Sequence, residues 1–324
     1  MTRCSRMRTS ILTTTEKTRS THTFLILLFL NNILPIFLIA GAGFAIGKFF
    51  HITPRLLSQV TLYLFTPCLT FQLVTSNDLI GKEIVTIFLF AATIMLLVGS
   101  ITWLVGRLMK IERKLMAAVL LCAIFMNAGN FGLPLLGFSF GNKAQAFGSL
   151  YFVSMVALTN TVGISIASAG KSGVRQVLSN LFRFPALYAV FLALLFIYFD
   201  WSLPLPLARS VEILSGAAVP CMLVLLGLQL QVARWNGQYK ALGIVLAVRM
   251  FIAPFLALGL ANLLGLQGNL MQAVVTEASM PPAVMNSLIA VEYDSEPSFT
   301  TFVVLSGTLL SPFTLTPLLA FLGA

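Results

Sequence analysis

Long apolar stretches alternate with short polar or basic connections along this chain, from residue 24 almost to its last residue. Each stretch is close to the roughly 20 residues that an α-helix needs to cross the hydrocarbon core of a bilayer. The pattern predicts ten membrane-spanning helices, at residues 24–47, 56–74, 84–108, 115–140, 144–168, 184–199, 209–230, 241–264, 270–291 and 299–321. We therefore expect an all-α polytopic membrane protein.

Composition supports this fold class over a soluble one. Of 324 residues, 58% are hydrophobic and only 9% are charged, and the mean hydropathy is +0.95. So few charges cannot cover the surface of a soluble domain of this size. We expect the protein to be surrounded by membrane lipid, as a multi-pass protein of the plasma membrane, the inner membrane of a bacterium.

The basic residues predict orientation and not a nucleic-acid partner, because most of the formal charge of +10 lies in short connections between apolar stretches. One alternating set of connections contains Lys48, Arg55, Arg107, Lys110, Arg113, Lys114, Lys171, Arg175, Arg183, Arg234 and Lys240. The opposite set contains only Lys82, Lys143 and Arg209. The first set should be cytoplasmic, with both termini outside.

The fourth segment is interrupted near its middle by Asn127-Ala128-Gly129-Asn130-Phe131-Gly132-Leu133-Pro134. Inside a helix, each glycine costs roughly 1 kcal/mol and a proline about 3 kcal/mol, and hydrocarbon offers no water to the freed backbone groups. One interpretation is a proline kink filled by a neighbouring helix. The other, which the two amides favour, places Pro134 at the first position of a new half-helix, whose free N–H groups attract an anion.

The ninth segment has a second interruption, at Pro281-Pro282. Pro134 and Pro282 lie about 150 residues apart, and so do the two Pro-Cys dipeptides at Pro67 and Pro220. Because each half contains an odd number of segments, the second half must enter the membrane the other way up. The fold prediction is therefore two inverted five-helix repeats, in which the broken helices 4 and 9 cross at a site halfway across the membrane.

This reading divides the chain into four parts. Residues 1–23 form a basic tail that we expect to be disordered, and residues 24–168 form the first five-helix repeat. Residues 169–183 are a basic connection, and residues 184–324 form the second, inverted repeat. The positive charges of the tail disfavour its translocation, which conflicts with an outside N-terminus.

Two charged residues lie well inside predicted spans, away from the span ends: Arg249 in the eighth and Glu277 in the ninth. Charges at this depth face the protein interior or water. Three interpretations remain open: an ion pair between the two side chains, a proton-binding role of Glu277 in coupling, and pairing of Arg249 with a substrate carboxylate.

The fifth segment contains polar residues near its middle, among them Asn160. We expect them to form hydrogen bonds between helices or, in the case of Asn160, to line a cavity. The chain has only His22 and His51, scattered cysteines, no metal-ligand spacing and no P-loop. It predicts neither an enzyme nor a cofactor or metal ion.

The two interrupted segments resemble the paired signatures of the auxin efflux carrier family, especially its bacterial members, some of which are associated with malonate or other organic acids. The motifs are Asn127-x-Gly-Asn-x-Gly-Leu-Pro-Leu135 and Met280-Pro-Pro-Ala-Val284. The resemblance covers most of the chain from about Phe24 onward. The long cytoplasmic insertion of the plant carriers between spans five and six is absent, so auxin itself is not the expected substrate.

The resemblance implies ten spans in two inverted repeats, a scaffold of spans one, two, six and seven, a mobile transport unit made of the others, and a homodimer through the scaffold. It implies a substrate site on Asn127, Asn130 and Pro134 and on Pro282 and Asn286. Gly132 and Pro281, from the same two interruptions, complete the predicted set.

The expected function is secondary transport of a small organic anion, such as a mono- or dicarboxylate, by alternating access. A membrane channel or a sensory receptor with the same helices is the alternative.

Overall fold

The computed structural model describes residues 23–77, 81–168, 184–231 and 237–324. The predicted tail, except for Thr23, and the whole predicted basic connection of residues 169–183 lie outside these ranges. Within them the regular secondary structure is helical, apart from one isolated antiparallel bridge. The all-α prediction is confirmed for the described residues.

The helices are numbered here in chain order. They are α1 Thr23–Phe50, α2 Pro54–Thr75, α3 Gly81–Leu108, α4 Arg113–Ile124, α5 Ala128–Ala167, α6 Pro185–Tyr198, α7 Leu205–Leu230, α8 Tyr239–Leu263, α9 Gly268–Ala278, α10 Met285–Glu292 and α11 Pro297–Leu322. By length and composition, seven helices of the described residues can cross a membrane: α1, α2, α3, α5, α7, α8 and α11. This is a multi-pass membrane protein.

Several prolines lie inside helices, where a missing N–H and a clash with the carbonyl four residues earlier normally break the helix. Here a wider π-type turn often comes just before the proline. Such turns at Phe29–Ile33, Thr61–Phe65, Ala128–Gly132 and Val248–Ile252 are each followed, two residues later, by Pro35, Pro67, Pro134 and Pro254. The wider turn accommodates the ring, so these helices continue.

The helices pack in two groups. In the first, α1 packs along α7, while α2 packs against both α6 and α7. Close approach of α1 and α7 requires glycine, because a Cβ on Gly227 would overlap the Ala40 carbonyl oxygen, and one on Gly43 would overlap that of Val224. In the second group, α9 packs against α5 and α8, α3 against α4 and α5, and α10 against α11.

α5 changes direction at Gly141, whose φ of 78° lies in a region that residues with a Cβ rarely adopt. Its first part, residues 128–140, continues the interrupted fourth segment, and its second part corresponds to the fifth. The site is formed where the first part of α5 begins.

Candidate functional site

The first helix break lies earlier than the sequence predicts. α4 ends at Ile124 and α5 begins at Ala128, so the extended residues are 125–127. The prediction that Pro134 starts the second half-helix is wrong. Pro134 is buried inside α5, after the widened turn, and Asn127 immediately precedes the new helix.

The second break, at residues 279–284 between α9 and α10, contains Pro281 and Pro282 as predicted. The two breaks meet in an antiparallel bridge between Met126 and Pro282. The Asn127 backbone N–H donates to the Pro281 carbonyl oxygen over 2.8 Å, and the Ala283 N–H donates to that of Phe125 over 2.9 Å. We call this meeting of residues 125–127 with 279–284 the crossing; its pairing satisfies backbone groups that lipid cannot.

Two side chains bind the carbonyl groups left free where α4 ends. Arg249 Nη1 donates to the carbonyl oxygens of Ala123 (3.1 Å) and Ile124 (3.4 Å), and Asn286 Nδ2 donates to that of Phe125 (2.8 Å). Both residues are fully buried. The positive charge of Arg249 at this position also interacts favourably with the negative, C-terminal end of the α4 dipole. Because its hydrogen bond joins α10 to Phe125, Asn286 helps to hold the crossing together.

Glu277 lies next to the first turns of α5. A Cβ on Gly132 would overlap its Oε2, and a Cβ on Gly148 would come within 3.1 Å of its Oε1. The carboxyl group thus occupies a niche that two glycines leave open.

No ion pair joins Arg249 and Glu277 in the structure of the described residues, where the ion pair present is Lys114 with Asp294, at 2.9 Å. The predicted direct pairing is wrong for this conformation. Tyr151 of α5, also fully buried, lies near both side chains. We call Tyr151, Arg249 and Glu277 the buried cluster, since each is 0% exposed.

A cavity of about 80 Å³ opens beside the crossing. A single water needs roughly 10–15 Å³ by a comparable measure, so the space exceeds one solvent molecule. Its lining includes the start of α5, the start of α10, and parts of α2 and α7, and none of the described lining residues is ionisable. The polar lining residues are Ser58, Asn127, Asn130, Thr159, Asn160 and Gln229.

The structure separates the predicted site residues into two sets. Asn127, Asn130 and Asn160 line the cavity. The remaining predicted residues are close to the crossing but outside the cavity lining: Gly132, Pro134, Arg249, Glu277, Pro281, Pro282 and Asn286.

The Asn127 side chain is 5% exposed, and its Nδ2 has no hydrogen-bond partner among the described residues. A buried amide donor without a partner is costly, on the order of 1–3 kcal/mol. Asn130 differs, since its Nδ2 donates to Gln229 Oε1 over a long 3.4 Å. The cavity therefore contains a donor free to bind a ligand oxygen.

The polar residues of the fifth segment do not form the expected bonds between helices. Asn160 Nδ2 donates to the Val156 carbonyl oxygen of its own helix over 2.9 Å, and Thr159 donates likewise to Met155 over 2.7 Å. Own-helix bonding satisfies these groups locally. Asn160 nevertheless lines the cavity, which was the alternative that the sequence predicted for it.

Sequence reasoning missed Gln229, Ser58 and Tyr151. Gln229 and Tyr151 are single polar groups within apolar stretches, a signal that marks functional or packing positions in membrane helices. Ser58 carries no such signal, because it lies near a segment end. Only the packing of α2 and α7 against α5 brings Ser58 and Gln229 to the cavity.

Comparison with known proteins agrees with this architecture. Residues 28–170 and 171–319 match the sequence profile of a family described as "Membrane transport protein". The chain belongs to this family. The resemblance to auxin efflux carriers is thereby confirmed, and the protein is a multi-pass membrane transporter.

Relatives of this transporter include two archaeal proteins and several plant ones. It is 26% identical over 257 residues to an uncharacterized transporter of Methanothermobacter thermautotrophicus, covering 79% of this chain and 84% of the relative. Identity is 25% over 256 residues to an uncharacterized transporter of Methanocaldococcus jannaschii, covering 74% and 80%. Auxin efflux carrier component 6 of Arabidopsis thaliana is 27% identical over 140 residues, which cover 41% of this chain and 24% of the plant protein.

Proposed function

We propose that this transporter is a secondary carrier that moves a small organic anion, such as a mono- or dicarboxylate, across the plasma membrane by alternating access. The observation that carries the proposal is the Asn127 amide donor, which has no partner among the described residues and is buried in a cavity at the crossing of two broken helices. A donor in this position suits a carboxylate oxygen.

The start of α5 supports an anionic rather than a cationic substrate. Ala128, Gly129 and Asn130 line the cavity, and the N–H groups of a first helical turn have no partners within the helix. Together with the helix dipole they attract negative charge. The lining residues that the structure describes include no carboxylate that would favour a cation.

We propose ten spans in two inverted repeats, with α4 and the first part of α5 as the fourth span and α9 with α10 as the ninth. Contacts between residues at the ends of these spans are consistent with this order. Lys114, in the first turn of α4 and just before the predicted fourth span of residues 115–140, pairs with Asp294 after the ninth span. Ser295 donates to the carbonyl oxygen of Ala167 at the end of the fifth, over 3.0 Å. These connections share one membrane side, which the basic residues assign to the cytoplasm.

The two packing groups correspond to the proposed scaffold and transport unit. The scaffold consists of α1, α2, α6 and α7 and forms a homodimer, while the remaining helices move against it. The Asn130–Gln229 hydrogen bond joins the two groups across the cavity. Its length of 3.4 Å makes it weak, which suits an interface that has to slide.

Exchange assays in liposomes test the proposal. Purified protein should exchange labelled malonate or a labelled monocarboxylate for unlabelled substrate, with saturation and counterflow. Asn127→Ala should lower exchange by roughly 10-fold or more, because a hydrogen bond to a charged group contributes about 1.5–3 kcal/mol. Asn269→Ala, at the start of α9 and outside the cavity, is the control and should exchange normally.

Three results would contradict the proposal. Unsaturable conductance of the same anions would indicate a channel. Full activity of Asn127→Ala would remove the cavity from the substrate path. Exchange of organic cations but no anions would contradict the charge argument.

A further inference from the structure

The buried cluster contains several hydrogen-bonding groups that no described residue satisfies. The Tyr151 hydroxyl, Arg249 Nε and Nη2, and both oxygens of Glu277 have no hydrogen-bond partner among the described residues. All three side chains are 0% exposed, and none lines the cavity. Leaving buried charges unpaired is among the most costly arrangements in a protein interior.

The unused groups of Arg249 have a specific geometry. Nη1 is occupied by the carbonyl groups at the end of α4. Nε and Nη2 form the long edge of the planar guanidinium, where two N–H groups point the same way and fit one carboxylate bidentately. This free edge is complementary to the free oxygens of Glu277.

The structure shows no group that would hold a charge on Glu277, since neither of its buried oxygens has a hydrogen-bond partner among the described residues. Its carboxyl group lies against Gly132 and Gly148, where no side chain separates it from the backbone. α9 packs against α3, α5, α8 and α11. Of the buried residues on these helices, the charged or titratable ones near Glu277 are Tyr151 from α5 and Arg249 from α8, since the buried faces of α3 and α11 contain none.

We infer that Glu277 is a proton-binding residue with two states: a protonated carboxyl group seated on Gly132 and Gly148, as here, and a carboxylate paired with the free edge of Arg249. The proton leaves to, and returns from, the water on the side to which the transport unit opens. Tyr151, the third member of the buried cluster, donates its hydroxyl to the carboxylate during the change. Only the coupling of this proton to transport rests on the proposed function.

The backbone of α8 supports such a change, because Arg249 lies in the wide turn Val248–Ile252. Wide turns of this type occur often at functional sites and let a helix change its local register. A small rotation there redirects the guanidinium while Nη1 keeps its contact with α4. The charge on Arg249 then has one role at the helix end and a second at Glu277.

Infrared difference spectroscopy of the purified full chain, between acid and alkaline pH, tests the inference without any substrate. The C=O stretching band of a protonated carboxyl group should be present at low pH and lost at high pH. All ten Asp and Glu residues contribute to this band at acid pH, so the Glu277 band is the part of the change that is lost in Glu277→Gln, a close mimic of the protonated form that should fold normally. Glu212→Gln, an exposed carboxylate on α7, is the matched control and should keep the band.

Substitutions of Arg249 separate charge from geometry. Arg249→Lys keeps a cation at the end of α4 but removes the bidentate edge, and Arg249→Gln removes both. In each variant the Glu277 band should persist to higher pH than in the parent protein, and more so in Arg249→Gln. Thermal unfolding identifies any variant that fails to fold. If Arg249→Gln does not fold, Arg249→Lys alone is compared with the parent protein.

Exchange assays complete the test. The pH dependence of exchange should be lost in Glu277→Gln and kept in Glu212→Gln. A Glu277 band that is present or absent at every pH overturns the inference, whatever the transport result. A pH-dependent band in a protein that exchanges no carboxylate keeps the proton site and overturns the carrier function instead.

Discussion

The cavity and the buried cluster both adjoin the crossing, yet they contain different kinds of polar group. The cavity is lined by amides and hydroxyls such as those of Asn127, Asn130 and Gln229, with no ionisable side chain among its described lining residues. The buried cluster contains the ionisable groups, among them Arg249 and Glu277, each 0% exposed. Groups that cannot ionise thus line the ligand space, whereas ionisable groups stay enclosed by protein.

This difference has a physical reason. A fixed charge in the cavity would bind an oppositely charged substrate strongly and would have to be desolvated again in every cycle. Amide groups and helix N-termini attract an anion without that penalty. The charge of Arg249, enclosed next to a helix end, instead stabilises a broken helix at the negative end of α4.

The largest expected effect comes from filling the Glu277 niche. Gly132→Ala should abolish transport and lower the melting temperature by several degrees, because the new Cβ overlaps the carboxyl group and overpacking costs about 1–3 kcal/mol. Gly41→Ala is the matched control, since a Cβ there meets no atom within 4 Å. Wild-type stability and transport of Gly132→Ala would show that the niche is not closely packed.

A smaller effect is expected where a side chain holds the crossing. Asn286→Leu removes the 2.8 Å hydrogen bond to the Phe125 carbonyl oxygen and should destabilise the protein by about 1–3 kcal/mol, with reduced transport. The neighbouring Ser287 is buried, and its hydroxyl has no partner among the described residues, so Ser287→Ala should be neutral. Thermal unfolding checks both. Equal stability of the two variants would mean that backbone pairing alone maintains the crossing.

The sequence predicted the second break more accurately than the first. Pro281 and Pro282 are adjacent, and the residue before a proline is itself pushed out of the helical region, so the helix had to end there. Pro134 stands alone, and the wide turn Ala128–Gly132 accommodates it, which moves the break to residues 125–127. A single proline in a membrane helix therefore indicates a nearby irregularity without fixing its position.

The site could be predicted only as far as single segments carry signals. Asn127 and Asn130 were identified from their own interrupted segment. Gln229 lies on another helix, and only packing brings it within hydrogen-bonding distance of Asn130. The position of Arg249 could not be predicted from the sequence either. Its partners are backbone carbonyl groups, which lack a partner within the helix only because α4 ends there.

The amide pair across the cavity should have a modest effect on transport. Gln229→Ala should change exchange by about 2- to 10-fold, since an ordinary hydrogen bond contributes about 0.5–1.5 kcal/mol and this one is long. A double-mutant cycle with Asn130→Ala measures whether the two act through each other. If they do, the double variant is no worse than Asn130→Ala alone. Additive losses would assign each amide a separate contact with substrate.

The smallest effect is expected at the exposed ion pair between Lys114 and Asp294, which belongs neither to the cavity lining nor to the buried cluster. The two side chains are 51% and 84% exposed, and exposed ion pairs contribute little. The hydrogen bond from Lys114 to Asp294 raises the pKa of the lysine above its ordinary value, so any stabilisation is fully present below that value and is lost only as the pH rises through the raised pKa. Lys114→Gln should therefore leave the melting temperature unchanged between about pH 6 and 8, within the range where a lysine with an ordinary pKa near 10.4 stays charged. A clear loss of stability there would mean that the contact between the fourth and ninth segments, and not the crossing alone, determines how the two broken helices are held.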